Sequence, residues 1–144
     1  MEFMIREERH KDVFFKKLAS RQKEANSLLC VGLDPDINRI PSSIRAKPEQ
    51  IFEFNKIIVD STYDLTACYK LQIAHYSSEA AEDQLENTIQ YIRTKGIPVV
   101  LDAKRSDIGS TAEKYARELF ERYEADAVTV NPFLGGDSLK PFLD

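Results

Sequence analysis

The 144-residue sequence contains no tryptophan, two cysteines, two histidines and five glycines. Each scarcity argues against a class of protein. Two cysteines without a C-x-x-C pair or a Cys/His cluster speak against a disulfide framework and against a metal site. The glycines form no G-x-G-x-x-G turn, the fingerprint of dinucleotide folds. No apolar run approaches the roughly 18 residues that a membrane span needs. The first residues, Met1 to Lys17, are studded with charge and lack the apolar stretch of a signal peptide. A net charge of -4, with no Lys/Arg block interleaved with aromatics, speaks against a nucleic-acid surface. The expectation is a cytoplasmic protein with no membrane or nucleic-acid partner. In such a reducing compartment, Cys30 and Cys68 would serve as small hydrophobes inside buried strands.

Hydrophobic residues make up 42% of the chain and charged residues 31%, a balance typical of a soluble globular domain. The length suits one domain able to bury a sizeable core. Its most informative stretch runs from Leu101 to Thr111. The preceding apolar run, Ile97-Pro98-Val99-Val100-Leu101, reads as a strand buried on both faces. Ser110-Thr111-Ala112-Glu113 has the capping-box form of a helix start. Asp102, Lys104 and Asp107 lie between strand and helix. Alternate residues of a strand share a face, so Asp102 and Lys104 should point the same way. Charged loop residues ordinarily just face water. Here they follow directly on an apolar strand, and the C-terminal ends of buried parallel strands are where α/β proteins keep their chemistry.

The remaining pattern alternates strands with helices. Residues 1–8 are expected to be loose, and a helix is expected from about Lys11 to Asn26. A strand over Leu28–Leu33 stops at Asp34, because Pro35 cannot continue a central strand. Pro48 opens a helix whose apolar face carries Ile51, Phe54, Ile58 and Leu65. The next strand, Ala67–Ile73, holds Lys70 among apolar neighbours. Lys70 is either an edge residue or a buried cation that must find carboxylates, since an unpaired buried ammonium is very costly. Ser78 is expected to cap a helix reaching Lys95, with Leu85, Ile89 and Ile92 inward and Gly96 as its stop. A helix over Thr111–Tyr123 should turn Tyr115, Leu119 and Phe120 inward. A strand at Ala127–Val130 and a helix starting near Ser138 complete the chain. His10 and His75 show no partner pattern and read as ordinary residues.

Strands recurring roughly every 30–40 residues are what repeated βα units require, and they imply a parallel sheet. Four such units are half of an eight-stranded barrel. On pattern alone, an open doubly wound sheet fits as well.

Four segments carry a resemblance. They are Cys30-Val31-Gly32-Leu33-Asp34-Pro35-Asp36, Tyr69-Lys70-Leu71-Gln72-Ile73-Ala74, Leu101 to Thr111, and Val130-Asn131-Pro132-Phe133-Leu134-Gly135-Gly136-Asp137-Ser138. In content and order they resemble the orotidine 5'-phosphate decarboxylases. That resemblance implies an α/β fold, the (β/α)8 TIM barrel, with about the first four βα units present. Residues 1–144 would then be the N-terminal half of a single barrel domain. It further implies a homodimer and a metal- and cofactor-free conversion of orotidine 5'-phosphate to uridine 5'-phosphate in pyrimidine synthesis.

By the same resemblance, Asp34 and Lys70 lie near the ribose hydroxyls and Asp102 beside the substrate carboxylate. Lys104 donates the proton to C6. Asp107, Ile108 and Thr111 reach the neighbouring subunit's site, and Lys70, Asp102, Lys104 and Asp107 form an alternating charge array. The family's later half supplies the phosphate grip, so the 144-residue chain is expected to carry the array yet turn over little. The alternatives are a truncated, non-catalytic half-barrel that only associates, and a magnesium-dependent sugar-phosphate decarboxylase of the same superfamily. The latter would call for a glutamate where this chain has Lys70, and a protonated lysine cannot ligate magnesium.

Overall fold

The computed structural model describes the backbone of residues 2–143 and the side chains of residues 13–143. Helix α1 (Glu2–Ala25) precedes β1 (Cys30–Gly32), then α2 (Ser42–Arg45) and α3 (Gln50–Thr62). Next come β2 (Cys68–Gln72), α4 (Ala74–Ser77), α5 (Glu82–Thr94) and β3 (Val99–Arg105). Helix α6 (Gly109–Arg117), strand β4 (Ala127–Val130) and α7 (Gly136–Leu143) follow. The strands are all parallel and lie in the order β1-β2-β3-β4. Strands that neighbour in sequence also neighbour in space, which is the progression of a (β/α)8 barrel wall. It is not the reversed order of a doubly wound sheet.

Register assigns each strand residue to a face. Val31, Tyr69, Leu71, Val99 and Leu101 share the helix-covered face. There they join Ile51, Val59, Leu85, Ile89, Ile92, Leu119 and Tyr123 in one apolar core. The opposite face carries Cys30, Gly32, Cys68, Lys70, Val100 and Asp102, none of which joins that core, and among the described residues no helix lies over it. Two expectations therefore need correction. The apolar strand β3 is not buried on both faces, because Val100 is only half-buried. Cys30 is exposed, lying on the uncovered face of the edge strand, whereas Cys68 beside it is buried. Burial, with Cys30 alongside, pushes the Cys68 thiol up to about 12.

Helix α1 begins well before Lys11, so its described backbone is helical where a loose segment was expected. The side chain of His10 lies outside the described residues. The helix ends with Asn26 in the left-handed region (φ 47°), a conformation asparagine tolerates better than most residues. It is fastened across the N-terminal ends of the strands. Lys17 reaches Asp126 at 2.6 Å just before β4, and Asp126 in turn accepts from the amide of Val99 at 2.8 Å. Arg21, buried, donates to the carbonyls of Thr66 and Tyr63 just before β2.

Several boundaries differ from the pattern reading, each for a local reason. The chain leaves α3 at Thr62 for a 3-10 turn, whose tighter winding carries Leu65 out to 57% exposure. Left-handed Ala80 (φ 49°) breaks the next segment in two. Ser78 accordingly ends α4, and α5 starts after Ala81. The capping box at Ser110 does not form. The chain turns into α6 at Ile108, with no side-chain cap, through left-handed Gly109 (φ 54°). A π-helical turn over Glu118–Arg122 shifts the helical phase, burying Leu119 and Tyr123 and leaving Phe120 outward.

Leu65 and Ile92 were both expected in the core, and only Ile92 is wholly buried there. Ile92→Ala should cost about 2–5 kcal/mol in urea denaturation, whereas Leu65→Ala should stay within about 0.5 kcal/mol of the parent.

Candidate active site

The polar end of the uncovered face is built around one carboxylate. Asp102 lies on β3 with its side chain 12% exposed. Each of its oxygens receives two donors. Oδ1 accepts from Lys104 Nζ at 2.6 Å and from Thr129 Oγ1 at 2.6 Å. Oδ2 accepts from Lys70 Nζ at 3.3 Å and from Gln72 Nε2 at 3.2 Å. Four donors nearly exhaust what a carboxylate can accept, so its orientation is fully specified.

Burial is the largest single influence on Asp102 and works against its charged form. The bonds from Lys104, Thr129 and Lys70, with the Lys70 charge, outweigh it and hold the carboxyl down at about 2. Asp102 is therefore an anion at any physiological pH.

Lys70 links this centre to a second carboxylate, with its Nζ 3.6 Å from Asp34 Oδ2. Asp34 stands just beyond β1 and accepts from the amide of Gln72 at 3.0 Å. The chain Asp34, Lys70, Asp102, Lys104 thus alternates minus, plus, minus, plus across three strand ends. This answers the question the sequence left open about Lys70. It is a half-buried strand lysine, and it is paired with two carboxylates.

Lys104 is held in an unusual way. β3 continues through it to Arg105, so these charges belong to the strand and not to a loop after it. The pairing with β4 shifts register between Leu101 and Arg105, and Lys104 has φ 48°. A non-glycine residue in the left-handed region costs energy, and such strain concentrates at functional sites. Thr129 fastens the bulge by accepting from the Lys104 amide at 3.1 Å while donating to Asp102. Beyond it, Arg105 makes a bidentate pair with Glu118, Nη2 donating to Oε1 at 3.0 Å and Nε to Oε2 at 3.2 Å, and lies over the Tyr115 ring. These contacts anchor the strand end against the following helix. The Lys104 side chain remains 63% exposed, bound by one oxygen and otherwise open to a ligand.

Asp107 is not part of this cluster. Within its own chain its Oδ1 accepts from the amide of Ile108 at 2.8 Å, and the second carboxylate beside Lys70 is Asp34. Ile108 and Thr111 are both exposed on the same segment. His75 is exposed on α4, away from the array's hydrogen bonds.

Gln72 and Thr129 escaped the sequence reading. Both were reachable in principle, since Gln72 lies two residues from Lys70 on one strand, and Thr129 falls opposite Asp102 once β3 and β4 are paired. Neither carries charge, so neither drew notice.

The sequence matches the model of the "Orotidine 5'-phosphate decarboxylase / HUMPS family" over residues 27–144. It is 60% identical over 133 residues to an orotidine 5'-phosphate decarboxylase of Cellvibrio japonicus, covering 90% of this chain and 49% of that protein. A Ralstonia nicotianae protein of the same name is 57% identical over 132 residues, covering 90% of this chain and 49% of its own. The solved OMP decarboxylase of Leishmania donovani superposes with a TM-score of 0.76 at 41% identity, over 90% of this chain and 48% of that one. The chain spans about half the length of the curated relatives it matches.

Thr129→Val keeps the shape and removes one donor from Asp102. In carbon-detected NMR titration the Asp102 midpoint should lie at about 2 in the parent and rise in the variant. The sign follows from linkage. The folded value lies below the ordinary 3.8, so Asp102 contributes stability that is complete above that pH and lost as pH falls through about 2. The variant should lose that contribution at a higher pH.

Proposed function

The chain belongs to the orotidine 5'-phosphate decarboxylase / HUMPS family, and from that membership and its charge array we propose that it is the N-terminal half of a barrel domain that decarboxylates orotidine 5'-phosphate to uridine 5'-phosphate. The observation that carries the reading is Asp102 clamped between Lys104 at 2.6 Å and Lys70 at 3.3 Å at the strand ends. Loss of carbon dioxide from C6 leaves an electron pair on a ring carbon. An ammonium fixed beside that carbon stabilises the charge as it develops and then supplies the proton. Lys104 takes this role, because it is charged, aimed by Asp102 and open on its other side.

Asp102 lies beside the departing carboxylate, and Asp34 and Lys70 meet the ribose hydroxyls. Half-buried Asp107 and exposed Ile108 and Thr111, apart from the array of their own chain, reach the neighbouring site of a homodimer. The reaction proceeds without metal or cofactor. Two ammonium groups around Asp102 already neutralise the site that a divalent cation would need, and this disfavours the magnesium-dependent branch. The protein works in the cytoplasm, in pyrimidine synthesis.

Phosphate sites of such barrels follow strands 7 and 8, and binding energy from a remote phosphate is spent on the chemical step. The 144-residue chain alone should therefore turn over little. Its uncovered sheet face, with Cys30 exposed, supports a second reading for this length of chain, as a half-barrel that only associates.

The test is the ultraviolet change on mixing orotidine 5'-phosphate with the chain, alone and extended to the length of its relatives, with EDTA present. EDTA-resistant turnover is expected in the extended protein, falling by at least about a thousandfold in Lys104→Ala. Turnover that EDTA abolishes, or that survives Lys104→Ala, would overturn the proposal.

A further inference from the structure

We infer that Tyr76 is a positioning residue, which, backed by Asn55 and Thr88, holds Asp34 in the charge array by gripping the peptide carbonyl that precedes it. The inference rests on the role proposed above for that array. Tyr76 lies on α4 and is wholly buried. Its hydroxyl donates to the carbonyl of Leu33 at 2.8 Å and accepts from Asn55 Nδ2 at 2.9 Å. Asn55 on α3 also donates to Thr88 Oγ1 on α5 at 3.2 Å, and Thr88 donates to the carbonyl of Gln84 at 2.7 Å. Three helices thus converge on one carbonyl through a line of side chains that are each 0–1% exposed.

Stability alone does not account for this network. Buried polar groups cost free energy unless fully paired, and Asn55 Oδ1 has no partner among the described residues. Apolar side chains of similar volume would fill the same core. The network's distinguishing effect lies at its end. The Leu33 amide donates to the carbonyl of Lys70 at 2.8 Å, so the Leu33 residue is held from β2 on one side and from Tyr76 on the other. Pro35 follows and restricts Asp34 to extended backbone. Between these two constraints, the Asp34 carboxylate has little choice but Gln72 N at 3.0 Å and Lys70 Nζ at 3.6 Å. Burial pushes the Tyr76 phenol up, the Asn55 bond opposes this, and the Asp34 charge adds to the rise. The hydroxyl therefore remains a donor throughout the working pH range.

The test is amide hydrogen exchange on Tyr76→Phe, which removes only the hydroxyl. The Gln72 amide reports Asp34 directly, because its bond goes to that carboxylate. The Ile89 amide, in the wholly buried middle of α5, reports overall stability. Exchange at Gln72 should accelerate at least about tenfold more than at Ile89. Equal acceleration at both sites, or none at Gln72, would reduce Tyr76 to an ordinary core residue and overturn the inference. If Tyr76→Phe does not fold, Thr88→Val serves instead, with about a two- to threefold acceleration confined to Gln72. No acceleration there would overturn the inference equally. The readout needs no turnover, so it separates the two claims. A Gln72 response without decarboxylation by the extended protein sinks the proposed function alone, and decarboxylation by the extended protein without a Gln72 response sinks the positioning role alone.

Discussion

The site depends on saturation of one carboxylate. A half-hydrated aspartate beside two lysines would rotate, and the lysines would follow it. With two donors on each oxygen, Asp102 has no lower-energy orientation to adopt, and it becomes the fixed point from which Lys70 and Lys104 are placed. Burial alone would push such a group toward neutrality. The donors reverse that tendency, so the same contacts that orient the carboxylate also keep it charged. Geometry and charge state are set together.

That fixed point has a structural cost, visible in the backbone around it. β3 departs from regular pairing just after Asp102, and Lys104 takes a left-handed conformation that its side chain disfavours. The departure lets two side chains two residues apart meet at 2.6 Å while the lysine stays accessible. Thr129, the Arg105–Glu118 pair and the bond from the Asn131 amide to the Arg105 carbonyl hold the irregular segment in place. The closely packed side of the protein is the helix-covered face, where Tyr69, Leu71, Val99 and Leu101 are wholly buried. The charge array stands on the other face of the same strands. Alternation along β2 and β3 therefore separates packing residues from charged ones, so a strand can be apolar enough to anchor a core and still present Lys70 and Asp102.

Kinship with the family agrees with this division. The matched region begins at residue 27, immediately before β1, and covers every strand of the sheet. The chain accounts for about half the length of these relatives. Helix α1 lies wholly outside the matched region, yet it is joined to the strand bases through Lys17 and Arg21.

Much was legible in the sequence because two short-range rules dominate it. Short apolar runs bounded by turn signals, together with helical periodicity, located four strands and the helices between them, and the charged strand ends pointed to Asp34, Lys70, Asp102 and Lys104. These follow from neighbours along the chain. What the sequence could not determine arises where distant segments meet. The left-handed turns at Ala80 and Gly109 displaced two helix starts, and the π-helical turn reversed Phe120. The bare face exposed Cys30. Thr129 and Gln72 acquire meaning only when β4 and β2 are laid against β3, because an uncharged side chain shows its purpose through its partner. Asp34 sits beside Lys70 because parallel pairing brings the end of β1 to β2, while Asp107, beyond the end of β3, bonds within its own segment. Local physics chose the elements and the charged candidates, and only the register between strands decided which of those charges meet.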